Sequence, residues 1–270
     1  MHFGGVAGLA VAAVLAAAPA QAAPAPRPVP PADWAALGKL PDWGGVWIPS
    51  VIDQRAQEKG NPAPWTPAIQ KQIDLMFAEE RAGRPKLILT HCLPHGMPSW
   101  MLISHNAMEI LYSPGRVTLL GESDGNRIRR IYTDGRPHPE DPDLTIHGHS
   151  IGHWEGDTLV VDTVGVIPQA PIAVSEAVGV PNNGDLHVVE RIHLADPNTL
   201  HVEMEITAKK VMTKPWKTTR IFLRRRGPQY DIVEGQCVQG QLVEALDKDG
   251  NMIFEDAPVA ADGGLPLTPP

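Results

Sequence analysis

Positive charge is scarce in this 270-residue chain, where 23 Lys and Arg stand against 31 Asp and Glu for a formal net charge of −8. That balance argues against nucleic acid and anionic membrane as partners. Cysteine is nearly absent, with Cys92 and Cys237 the only two, so at most one intramolecular disulfide can form. No apolar run beyond residue 22 is long enough to span a bilayer. There is no Gly-x-Ser-x-Gly elbow and no phosphate loop, which leaves no motif for an activated serine or a nucleotide. Neither βαβ alternation nor an internal repeat is visible, which argues against a doubly wound α/β fold and a solenoid.

What is present begins with an Ala/Val/Leu-rich run over residues 1–22, free of Asp, Glu, Lys and Arg and ending Ala20-Gln21-Ala22. Small-x-small at that place reads as a signal-peptidase site, with cleavage after Ala22 and a periplasmic or secreted product expected. No lipid-attachment cysteine follows it. In an oxidising compartment Cys92 and Cys237 are expected to pair as a structural disulfide. Residues 23–41 are rich in Pro and Ala and read as a leader, and residues 42–270 as a single β domain.

One helix is predicted over Trp65 to Ala82, with Thr66 as N-cap, Pro67 at the first helical position, Ile69, Ile73 and Phe77 on one stripe, and Gly83 ending it. Strands are expected over Trp100–Ser104, Met108–Ser113, Arg116–Glu122, Arg127–Thr133, the two arms of a hairpin within His147–Thr163, Leu186–Leu194, Leu200–Thr207, Thr218–Arg226 and Tyr230–Cys237. Short Gly, Pro, Asn and Asp turns between most of them predict an antiparallel meander. The expected class is therefore all-β, an up-and-down barrel or strongly curled sheet with one N-terminal helix, and a sandwich is the competing architecture.

The hairpin HGHSIGHWEGDTLVVDT carries the main candidate site. A two-residue loop at Glu155-Gly156 puts His149 directly opposite Asp162, one at Gly156-Asp157 puts them on a diagonal of the same face, and a three-residue loop separates them. Asp162 lies between Val160 and Val164 on its own face, so a buried carboxylate there needs a partner, and an imidazole is a natural one. Glu190 is the odd member of an apolar stripe with Leu186, Val188, Ile192 and Leu194, which marks it as a second proton-transfer group or as an ion pair with an arginine such as Arg130 or Arg220. The segment Tyr132 to Pro139 leaves a strand through a Gly turn into a Pro-bracketed loop. Tyr132, Asp134, Arg136 and His138 are candidate substrate binders there, with Asp134 capping its own turn and Arg136 pairing with Glu140-Asp141 as the structural alternative. His147, His149 and His153 give an HxHxxxH spacing, with Asp185 and His187 further on, but an extended strand spreads three such ligands over about 20 Å.

Two resemblances add to this reading. Gly44-Gly45-Val46-Trp47 is similar to the Gly-x-Trp opening of lipocalin-like barrels, which implies a tryptophan plugging the closed end. The run from Arg129 to Pro139, then Gly148 to Thr163, Glu190-Arg191, Pro215-Trp216 and Cys237 together resemble a family of secreted, largely uncharacterised bacterial proteins bearing TDGRxHP and GHSxGxWEGDTLVVDT. That resemblance spans roughly residues 87–240 and implies export without implying an activity. Lipocalin-like barrels resemble enzymes such as phenolic acid decarboxylases and small hydratases, so by analogy the expectation is an exported, cofactor-free and metal-free lyase or isomerase. Its substrate is expected to be a small apolar or aromatic acid inside the barrel, with His149, Asp162 and Glu190 transferring protons. The alternatives are a carrier of a hydrophobic small molecule and a metal-dependent, cupin-like hydrolase or oxygenase.

Overall fold

A computed structural model of the chain describes residues 34–84, 95–103, 107–122, 127–175, 177–227, 229–234, 241–246 and 252–256. Residues 1–22, read above as a signal peptide, and both cysteines of the expected disulfide lie outside the described residues. Nine strands close into a barrel: β1 (Val46–Pro49), β2 (Met108–Ser113), β3 (Arg116–Gly121), β4 (Ile128–Tyr132), β5 (His149–Glu155), β6 (Thr158–Val164), β9 (His187–Asp196), β10 (Thr199–Thr207) and β11 (Trp216–Arg225). Their order round the wall is β1-β11-β10-β9-β6-β5-β4-β3-β2, with β1 also pairing β2. The small ribbon of β7 (Pro171–Ala173) and β8 (Gly179–Pro181) stands outside the barrel sheet, as does the hairpin of β12 (Gln241–Leu246) and β13 (Met252–Asp256).

Period-two alternation decides which side chains face inward. β6 buries Leu159, Val161 and Thr163, β9 buries Val188, Glu190 and Ile192, and β10 buries Leu200, Val202, Met204 and Ile206. Trp47 is fully buried, donates its indole N–H to the Trp43 carbonyl at 2.9 Å and lies under the Arg224 guanidinium, 4.5 Å from the ring centroid. Trp43, Tyr112 and Trp154 pack together beside it, with centroids 5.2–6.1 Å apart. Trp65 and Trp100 are also buried, so of the five tryptophans up to Trp100 only Trp34 is exposed.

Helix α3 (Pro67–Arg81) forms where expected, capped by the Thr66 hydroxyl. A second helix, α2 (Val51–Gly60), was not foreseen, although Ser50 caps it and exchanges hydrogen bonds with Asp53 across the first turn. Its polar sequence has little apolar periodicity to announce it. Asn61, just after it, donates to the Lys217 carbonyl at 2.6 Å and accepts from the Trp216 indole at 3.1 Å, which ties the helix end to β11. The stretch read as leader contains a helical turn, α1 (Trp34–Leu37).

Three other expectations are corrected. Trp100–Ser104 begins not as a strand but within a short helix, α4 (Ser99–Leu102), buried on all sides, and a short apolar run does not distinguish the two. Residues 230–234 of the expected last strand are not in a strand. The meander is also interrupted, because β4 and β5 run parallel, pairing Ile131 with Ser150 and Tyr132 with Ile151. A parallel pair requires a long crossover, and residues 133–148 supply it. Near its end Thr145 bridges to Val166, and Gly148 turns the chain into β5 with a positive φ of 69°. A Cβ on Gly148 would meet the Val164 carbonyl oxygen at 2.5 Å. The variant Gly148→Ala is expected to lose upwards of about 1 kcal/mol, read as a lower urea midpoint at unchanged slope.

Candidate functional site

The hairpin turn is Gly156-Asp157, because Glu155 pairs with Thr158. His149 therefore faces Val164 directly and Asp162 on the diagonal, with Ile151 opposite Asp162. Both side chains lie on the outer face of the wall, since their neighbours Ser150 and Thr163 are the buried ones. The expectation of a pair sunk in an apolar interior is corrected here, as the Asp162 side chain keeps 40 % of its exposure.

The crossover lays His138 over this face and completes the link. His138 Nδ1 is 2.8 Å from His149 Nδ1, and His138 Nε2 is 3.0 Å from Asp162 Oδ1. His187, at the start of β9, brings its Nε2 to 3.0 Å from both Asp162 oxygens. An ionised carboxylate only accepts, so with Asp162 ionised both imidazoles present Nε2–H to it. A neutral His138 then has a bare Nδ1, which accepts from His149 Nδ1–H. The free lone pair of the cluster is thereby assigned to His149 Nε2.

The surroundings of His149 favour that neutral state. Burial chiefly, then electrostatic repulsion from the neighbouring His138 and Arg136 side chains that a protonated His149 would meet, holds its imidazole below the ordinary histidine value. The Tyr132 ring stacks on the His149 ring with centroids 5.4 Å apart and planes at 26°. Arg136 places its guanidinium 4.1 Å from the Tyr132 centroid. Its pairing partner is Asp134, through contacts of 2.6–3.0 Å, rather than Glu140 or Asp141. That guanidinium holds the Asp134 carboxyl below the usual carboxylate range, and the backbone N–H of Arg136 adds to the effect. Tyr132, Asp134, Arg136, His138, His149 and Asp162 thus form one connected strip on the outer wall.

Glu190 does not join it. Its side chain is fully buried on the opposite face of the sheet, inside the barrel. Its partner is Arg129, not Arg130 or Arg220: Nη1 donates to Oε1 at 2.9 Å and Nη2 donates to Oε2. Arg129 also donates to Thr163 Oγ1 at 3.0 Å and to Ser150 Oγ at 3.2 Å, and those two hydroxyls are 2.9 Å apart. Four strands, β4, β5, β6 and β9, are tied together by this one buried network. Residues that neighbour its members along the chain, His149 and Asp162, point the other way into the imidazole strip.

The HxHxxxH histidines part company. His147 packs against the Trp100 ring at 5.1 Å, His149 joins His138, and His153 pairs with Glu155 beside the turn at 3.2 Å. Among the described residues no three His, Cys, Asp or Glu side chains converge on a point that a metal ion could take. His187 is the member of the strip that sequence reasoning did not place beside Asp162. Strand alternation put it on the same face as Val189, yet nothing in the sequence says that β9 neighbours β6, where Asp162 pairs with Val189.

The fold and site define a closed β-barrel with an imidazole–carboxylate strip on its outer wall. No protein-family model matches the chain, and no curated protein matches its sequence. Among the described residues no helix is long and apolar enough to cross a membrane.

Proposed function

We propose that the protein is an exported, cofactor-free lyase or isomerase that moves protons on a small apolar or aromatic acid, at the strip on the outer wall of a lipocalin-like barrel rather than in its interior. The observation that carries this reading is the line of contacts Asp162–His138–His149; with Asp162 ionised and His138 neutral it leaves His149 Nε2 as an oriented, unprotonated base. A base of this kind takes a substrate proton at Nε2 while its Nδ1–H shifts toward His138 and the resulting charge is balanced by Asp162. His187, bonded to the same carboxylate, is the second group able to exchange a proton. Tyr132 and the free edge of Arg136 are the binders of a phenol or carboxylate. The full burial of Trp47 behind Gly44-Gly45-Val46 supports the lipocalin-like part of the reading.

The test is incubation of the full chain with a panel of aromatic and hydroxylated acids, read by chromatography coupled to mass spectrometry. Loss of carbon dioxide, gain or loss of water, or a shifted retention at constant mass is the expected result. An unmodified acid retained on the protein makes it a carrier, and no acid consumed or held sinks the proposal. The acid limb of kcat/KM is expected below the ordinary histidine value of 6.5, because the base works neutral and its protonation is displaced downward. A limb centred above 6.5 in a pH profile removes His149 as the base.

A further inference from the structure

Away from the strip, His193 in β9 and His201 in β10 are direct cross-strand partners on the outer wall. Their rings meet edge to face with centroids 5.6 Å apart, and both are half-buried. Neither ring belongs to the Asp162 cluster, and no role in it is assigned to them. Directly opposed residues hold their Cβ atoms about 4.5–5.5 Å apart on a rigid ladder. A transition-metal ion binds each imidazole nitrogen at about 2.1 Å, so two nitrogens up to about 4 Å apart can share one ion. Asp196 stands at the turn joining the two strands. Its carboxylate accepts from the Asn198 backbone N–H at 2.8 Å, which fixes an anion at that turn.

We propose that His193 and His201 form a two-imidazole site for a divalent transition-metal ion, copper foremost, with water completing the coordination. Imidazole suits copper, nickel and zinc, and among divalent first-row ions the affinity of a nitrogen site peaks at copper. The site is independent of the acid–base reading above.

The test is titration of the full chain with Cu2+ alone at pH 7.5, followed by calorimetry and by loss of backbone amide signals in NMR. The first equivalent is expected to erase signals of residues 192–194 and 200–202 before any others. His193→Gln and His201→Gln are each expected to weaken the first binding event at least tenfold, with the double variant little worse than either single one, since a chelate is broken by losing one arm. Signal loss centred on His138, His149 and His187, or on any other histidine, overturns the proposal. So does an affinity within threefold of the unmodified chain in both single variants. The NMR measurement needs no substitution, so a variant that folds poorly does not spare the proposal.

Discussion

Replacing Arg129 by methionine, or Glu190 by methionine, is expected to destabilise the fold by about 3–5 kcal/mol, because each change strands a charge inside the barrel. Both side chains are essentially inaccessible, at 1 % and 0 %, so no water reaches the group left behind. For a domain whose total stability is about 5–15 kcal/mol, this moves the thermal midpoint on the order of 10 °C. The double variant Arg129→Met/Glu190→Met is expected to recover most of the loss, since a buried pair replaced by apolar groups of similar volume is often neutral or better. Ser150 and Thr163 temper the recovery, yet they retain each other as partners at 2.9 Å. Denaturant melts of the two single variants and the double variant measure this as a coupling energy. If either single variant costs less than about 1 kcal/mol, in the range of exposed ion pairs, the pair is hydrated and the account of the interior fails.

The second large effect concerns the outer strip. His149→Ala and Asp162→Ala are each expected to lower kcat about 10²–10⁴-fold, the usual contribution of a positioned acid or base, while circular dichroism stays unchanged. The reason for the unchanged fold is placement, because these side chains face outward and the core lies behind Ser150 and Thr163. His138→Ala is expected to match them, since it is the link between the carboxylate and the base. Glu190→Gln is expected to behave differently, losing stability and losing activity only as the folded fraction falls. Turnover by His149→Ala within tenfold of the unmodified chain removes the line Asp162–His138–His149 from the proposed mechanism.

Much of the wall was legible because alternation is a local property. β2, β3, β4, β5, β6, β9 and β10 fall within a residue or two of their expected bounds, and the Thr66-Pro67 start of α3 is where capping chemistry places it. The misreadings at the site share a cause, which is that periodicity says which side chains go together but not which face is the inner one. On β6 both faces are apolar or β-branched, Leu159, Val161 and Thr163 against Val160, Asp162 and Val164, so the aspartate could be read as buried. The adjacent arginines of β4 pose the same ambiguity, and the barrel takes Arg129 inside with Ile131 and leaves Arg130 outside. On β9 the clean stripe around Glu190 did identify an inward carboxylate, and its partner came from a strand 61 residues away.

By itself the sequence determined that this is an all-β chain with a tight turn around Gly156, that either two-residue loop there puts His149 and Asp162 on one face, and that Glu190 sits among apolar neighbours, while the register that selects Gly156-Asp157 came from the fold. The first three follow from backbone period and turn chemistry, which act over a few residues. Tertiary structure alone decided that β6 pairs with β9 rather than with β7, that β4 and β5 run parallel, and that the crossover brings His138 over the outer wall. Those outcomes depend on how nine strands close without leaving an edge unpaired, a global constraint that no local window contains. Closure also sets the inside and the outside, and with them the division between a buried ion pair that holds the wall and an outer imidazole strip that meets solvent.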